Sequence, residues 1–204
     1  MTVIFKLGGS LMTLPGLAEK LQFVLRERPN DPCLIIAGGG DSADIVRRWS
    51  QVHELSEEVA HWLALSSLDL NRRLIEELLR CRPVISRHNA EAIWASKRSP
   101  LLLNLREFVA AEESLENEKL PHNWDVTSDT LSAWTAVRWP ATELVLLKSV
   151  PAPLGLSVEE ASRHEWVDKH FPLIANQLRR ISWCNLRAPI ISIEPWLTNV
   201  SDFS

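Results

Sequence analysis

Short, fully apolar runs alternate along the chain with longer stretches in which apolar residues recur every three or four positions. The first pattern predicts buried strands and the second amphipathic helices. Residues 2–7 form the first expected strand and run into Gly8-Gly9-Ser10. A helix over 17–28 follows, closed by Pro29-Asn30-Asp31-Pro32, and 33–37 (CLIIA) is a second buried strand that ends in Gly38-Gly39-Gly40. Helices are expected over 41–53 and 56–81, the longer one from the apolar spacing of Val59, Leu63, Leu70, Leu74 and Leu78. Residues 83–86 and 101–105 read as short strands around a helix at 90–97, and the polar, acidic stretch 110–121 as a helix end and loop. A helix over 127–139 is stopped by Pro140, 144–150 (LVLLKSV) is a strong strand, and helices are expected at 157–164 and 171–180. Residues 181–185 and 189–192 are the last expected strands.

Strands alternating with helices predict an α/β fold, a mostly parallel sheet covered on both faces in three layers. At 204 residues, with no linker, repeat or low-complexity segment, the chain reads as a single domain. The net charge of −4 argues against a nucleic-acid partner, which would need a basic surplus. No apolar run approaches the ~20 residues of a membrane span. The opening MTVIFKL has a strand pattern rather than that of a signal peptide, so a cytoplasmic location is expected. Three widely spaced cysteines give neither a disulfide framework nor a zinc signature.

In an open parallel sheet, ligands gather beyond the carboxyl ends of the strands. Unusual residues fall there. Lys6-Leu7-Gly8-Gly9-Ser10 is either a tight strand-to-helix turn or a cradle in which backbone N–H groups meet an anion. Gly38-Gly39-Gly40-Asp41-Ser42-Ala43 matches the G-x-G-x-x-A dinucleotide fingerprint, but Glu57 and Glu58, where that motif wants an acidic residue ending a strand, lie in a helix. No Walker A pattern is present. In Pro121-His122-Asn123-Trp124-Asp125-Val126-Thr127-Ser128-Asp129, capping explains Thr127 or Ser128 but not both aspartates. Asp129, in the first helical turn, is placed to hold lysine ammonium groups, with Lys148, set in an apolar strand, as its natural partner. Glu57 and His61 share a helix face, yet no third metal ligand stands near them in sequence. His122 and His88 are the histidines expected beside an acceptor, and Trp124, Trp134 and Trp139 are expected to be core.

Lys6-x-Gly8-Gly9-Ser10, the triple glycine with Asp44 after it, and the helix start from Asp125 to Asp129 resemble the amino-acid kinase superfamily. Residues 120–134 (LPHNWDVTSDTLSAW), 144–150 and 167–172 (VDKHFP) are similar to its methanofuran-biosynthesis branch, which phosphorylates (5-(aminomethyl)furan-3-yl)methyl phosphate. The resemblance implies a kinase using ATP and Mg2+ on a small anionic substrate, in a homodimer or higher homo-oligomer. It also implies catalytic roles for Lys6, Lys148 and Asp129. Gly8, Gly9, Ser10, Lys148 and Ser149 would meet the nucleotide, and Gly38, Gly39, Gly40, His122, Asp125 and Ser128 the acceptor. The acceptor half would span about 1–140, with a shortened nucleotide half at about 141–204, because the superfamily's Gly-Gly-Met-x-x-Lys segment is missing. A carboxylate kinase and a non-catalytic nucleotide-binding or storage protein are the alternatives.

Overall fold

The computed structural model describes residues 2–115 and 119–198. Seven strands form one sheet in the order β3-β4-β2-β1-β5-β6-β7. These are β1 (Val3–Leu7), β2 (Cys33–Ala37), β3 (Arg82–Val84), β4 (Leu101–Leu103), β5 (Glu143–Lys148), β6 (Arg180–Asn185) and β7 (Glu194–Thr198). Every pairing is parallel except that of β7 with β6. The helices are α1 (Leu17–Arg26), α2 (Asp41–Val52), α3 (Glu57–Leu79), α4 (Arg87–Trp94), α5 (Leu105–Glu113), α6 (Ser128–Arg138), α7 (Val158–Arg163) and α8 (Phe171–Ala175). No helix among the described residues is long and apolar enough to cross a membrane.

Side chains alternate across a strand, and the two faces of the sheet accordingly build two cores. Val3, Phe5, Leu7, Cys33, Ile35, Val145 and Leu147 pack with Leu17, Leu21 and Val24 of α1. Ile4, Leu34, Ile36, Leu144 and Leu146 pack with α5 and α6, through Phe108, Leu131 and Trp134. Trp134 and Trp139 are core, as expected, while Trp124 is half-buried. The same parity puts Lys6 and Lys148 on the α6 side, on neighbouring strands with Lys6 opposite Leu146. That register is what brings the two lysines to one helix start.

Three expectations are corrected. The apolar spacing that marks α3 does not mark its buried face: Leu70 is 62% exposed, and Val59, Leu74 and Leu78 are also exposed. Its buried face carries Ala60, His61, Leu65, Leu68, Asn71, Arg72 and Ile75, because part of this face works on a glycine loop rather than on a purely apolar core. Helix α5 starts at Leu105, capped by the Asn104 side chain accepting from the Glu107 N–H, where a strand end and a later loop were expected. Residues 189–192 form no strand, and the last one is β7, an edge strand that accommodates Pro195.

Candidate active site

Both glycine loops stand at the carboxyl ends of adjacent strands and pack directly on each other. A Cβ on Gly9 would lie 1.9 Å from the Gly40 nitrogen, and one on Gly40 would lie 2.5 Å from the Gly9 carbonyl. Gly40 also has φ +55°, a left-handed conformation that glycine adopts without a Cβ penalty. The glycines are thus required by backbone-to-backbone contact. Asn71 of α3 fixes the second loop, donating from its side-chain nitrogen to the carbonyl of Gly38 at 2.7 Å and to that of Gly39. The N–H groups of Gly9, Ser10, Gly39 and Gly40 donate to no group among the described residues.

Beside these loops Asp129 sits between two ammonium groups. Lys6 Nζ is 2.7 Å from one carboxylate oxygen and Lys148 Nζ donates to the other at 2.8 Å. Lys6 is 3% exposed and Asp129 6%. Burial by itself would raise the Asp129 carboxyl, but Lys148 and Lys6 outweigh it and bring it down to about 2. Burial lowers the Lys148 ammonium to about 8, with Lys6 adding to the depression and Asp129 only partly opposing it. Lys148 also donates to the Trp166 carbonyl at 2.7 Å and lies over the Trp183 ring, 5.4 Å from its centroid. Across the strand ends the Ser10 and Ser149 hydroxyls are 3.0 Å apart.

Asp168 is the site residue that sequence reasoning did not assign. Its carboxylate accepts from the N–H groups of Thr127 and Thr130, from both of their hydroxyls, and from the Phe171 N–H. Thr127 occupies the N-cap position of α6 without making a side-chain cap bond. The cap is supplied instead from 41 residues away, and it fixes the turn that presents Asp129. The VDKHFP segment carried the signal, but it was read for resemblance and not for chemistry.

Two cavities open on this centre. The smaller, about 160 Å³, is lined by Gly39, Gly40 and Ser128, by the α3 residues Glu57, Ala60, His61, Ala64, Leu65 and Leu68, and by Trp124, Val126 and Leu131. The larger, about 750 Å³, is lined by Asp129, Lys148, Asp125, Trp166, Asp168 and Lys169 among others. Arg47 and Trp124 line both, with the guanidinium 4.6 Å from the indole centroid. Asp125 pairs with Lys169 at 3.0 Å on the rim. His122 lines neither cavity. Its ring nitrogens are taken by Glu58 at 2.5 Å and Glu113 at 3.0 Å, and it stacks on His61 with ring centroids 4.0 Å apart. His88 lies on α4, away from both cavities.

The mostly parallel seven-stranded α/β fold that carries these paired glycine loops and the buried Lys-Asp-Lys unit is shared with solved kinases, and the chain is similar in sequence to a phosphate kinase. It is 24% identical over 187 residues to [5-(aminomethyl)furan-3-yl]methyl phosphate kinase of Methanocaldococcus jannaschii, covering 86% of this chain and 83% of that protein. In fold it is similar to the uridylate kinase of Archaeoglobus fulgidus, with TM-score 0.61, 16% identity and coverage of 90% and 89% of the two chains. The UMP kinase of Ureaplasma parvum gives TM-score 0.64, 11% identity and coverage of 94% and 92%. No protein-family model matches.

Proposed function

We propose that the chain is a cytoplasmic ATP-dependent kinase that transfers the γ-phosphoryl group to a small phosphomonoester, of the furan-phosphate kind met in methanofuran-type C1-carrier biosynthesis. The observation that carries this reading is the Lys6–Asp129–Lys148 unit. Two ammonium groups share one carboxylate, so a surplus positive charge is held almost without water at the edge of a ligand-sized cavity. Isolated buried charge is costly unless paired, and a phosphoryl group supplies the missing negative charge. Asp168 makes no ion pair with either lysine; its carboxylate is held by the first turn of α6 and by Phe171 and acts on Lys148 only at longer range.

In this reading an oxygen of the acceptor phosphate attacks the γ-phosphorus, the bond from that phosphorus to the β–γ bridging oxygen breaks, and ADP leaves with the electron pair. The acceptor is already an anion, so no general base is required. Transfer depends on positioning and on neutralising charge spread over the transferring oxygens. Lys6 and Lys148 neutralise and Asp129 orients them. The N–H groups at Gly9 and Ser10, with Gly8 and Ser149, hold nucleotide phosphates, while Gly38–Gly40, Ser128 and Asp125 serve the acceptor side. His122 stands behind the acceptor side, stacked on His61, which lines the smaller cavity. Mg2+ arrives with the nucleotide, held by phosphates and water, as befits a site whose nearest carboxylate already serves two lysines.

The 24%-identical relative supports the furan-phosphate acceptor by its name. We assign the acceptor half to about residues 1–140 and the nucleotide half to about 141–204. The exposed stripe on α3 supports a homo-oligomer, with a second copy of the chain as its occupant, which light scattering would detect. The kinase reading is tested by titrating Mg-ATP calorimetrically and then assaying phosphoryl transfer to the furan phosphate. Saturable binding followed by a diphosphate product is expected. No binding of ATP or GTP at millimolar concentration would refute it, and a hydroxamate formed with hydroxylamine would move the activity to a carboxylate acceptor.

A further inference from the structure

Glu57 and His61, one turn apart on α3 and without a third metal ligand among the described residues, both line the smaller cavity. Helix α3 runs along it. A Cβ on Gly39 would stand 3.2 Å from Leu68, so Leu68 marks the end at the glycine loop. Leu65, Ala64, His61 and Ala60 come next, and Glu57 closes the far end. The helical rise between Leu68 and Glu57 amounts to ~16 Å at about 1.5 Å per residue. Ala60 and Ala64, small and four apart, leave a trough between these ends, faced by Val126, Leu131 and the Trp124 indole.

Charge is divided between the two ends. Arg47, shared with the larger cavity, lies on the phosphate side. The other acidic side chains around the cavity mouth are engaged: Asp44 by Arg47 at 2.7 Å, and Glu58 by His122 and the Trp62 indole N–H. The Glu57 carboxylate has no hydrogen-bond or ion-pair partner among the described residues. Behind it, His61 is 6% exposed and its Nε2 is buried without a partner. Burial first, then the neighbouring His122, lowers His61 to about 4. A neutral ring there leaves the Glu57 end negative.

We propose that Glu57 is a specificity residue that reads a cationic group on the acceptor, at the end remote from its phosphate. The acceptor is then zwitterionic, with its anion at the glycine loop, a flat apolar body over Ala60 and Ala64, and an ammonium group at Glu57. This rests on the kinase reading, and it accords with a relative named for a furan that carries an aminomethyl group and a phosphate.

The test compares two acceptors, [5-(aminomethyl)furan-3-yl]methyl phosphate and the analogue with hydroxyl in place of the amine. Transfer kinetics and nucleotide-free calorimetric binding are both measured, for the native chain and for Glu57→Gln. A charge-assisted contact predicts that the native chain prefers the amine by ~10-fold or more in kcat/KM and in affinity, and that Glu57→Gln removes most of this preference. An equal preference in both proteins, or none in the native chain, overturns the proposal. If neither acceptor is phosphorylated, the kinase reading fails by itself, and the calorimetric preference still decides the role of Glu57. Failure of the amine-bearing acceptor to bind the native chain overturns it as well. Glu57 is solvent-exposed in the first turn of α3, and an unchanged circular dichroism spectrum verifies that the variant folds.

Discussion

Two three-membered charge chains flank the smaller cavity, and they are opposites. Lys6–Asp129–Lys148 sets one carboxylate between two cations, and Glu58–His122–Glu113 sets one imidazole between two carboxylates. Each makes short contacts, and each has a central group shifted by its partners: Asp129 down to about 2, His122 up against the effect of burial. Their surroundings separate them. Asp129 and Lys148 line a cavity of about 750 Å³, whereas His122 lines neither this cavity nor the smaller one. The histidine chain spends its charge joining α3, α5 and the loop ahead of α6. Alternating charge alone does not mark a reactive site; surplus charge facing ligand-sized space does.

The largest effect that would sharpen this contrast lies in the lysine chain. Lys6→Met and Asp129→Asn should each lower kcat by roughly 100-fold or more, the scale of removing a preorganised charge-stabilising group. Because the residues act as a unit, the double variant should lose far less than the product of the single losses. Fully multiplicative losses would dissolve the unit.

Next in size is the pH response. The free-enzyme profile of kcat/KM should fall as pH rises through about 8, where Lys148 gives up its proton. Bound nucleotide phosphates stabilise the ammonium, so the fall in kcat should come at higher pH. A kcat/KM that stays flat to pH 9.5 would show that the Lys148 charge is not needed.

His122→Gln should act on stability instead. It leaves the buried Glu113 carboxylate with a weaker partner, at a cost of about 1–3 kcal/mol, or roughly 2–12 °C in Tm for a chain of this size, with kcat changed by less than ~3-fold. The reverse result, an unchanged Tm and a large loss of kcat, would break the comparison. The smallest effect concerns linkage. His122 has a folded pKa above its ordinary 6.5, so its stabilisation is complete below that pH and is lost as pH rises through the folded value. His61, lowered to about 4, works in the opposite sense between about 4 and 6.5, where the unfolded chain takes up a proton first. Denaturant midpoints measured across pH should lose the upper slope in His122→Gln.

Much of this was legible in the sequence. The alternation of CLIIA and LVLLKSV with helical stretches specifies a parallel sheet, and period-2 parity puts Lys6 and Lys148 on one face. The pairing of Asp129 with Lys148 followed from a charged residue inside an apolar strand, a local conflict that needs a nearby remedy. Long-range partners were harder to see. Asp168 caps α6 from a distant segment, and nothing local to Thr127 reveals it. The buried face of α3 was hidden because Val59, Leu70, Leu74 and Leu78 form a plausible apolar stripe, while the buried stripe includes Asn71 and Arg72. Hydrophobic periodicity cannot register a helix face whose work is hydrogen bonding to a glycine loop. His122 was legible as unusual, but its two carboxylates come from separate helices, and only the fold shows that they occupy both nitrogens.

The central claim is that the buried lysine chain neutralises the transferring phosphoryl group, and single-turnover transfer from γ-labelled ATP by Lys148→Met tests it most directly. At saturating ATP and acceptor, the account predicts a chemical step slowed by roughly 100-fold or more, with ATP affinity changed by much less. A chemical step that keeps its native rate would contradict it and leave Lys148 as a partner of Asp129 and the Trp166 carbonyl alone.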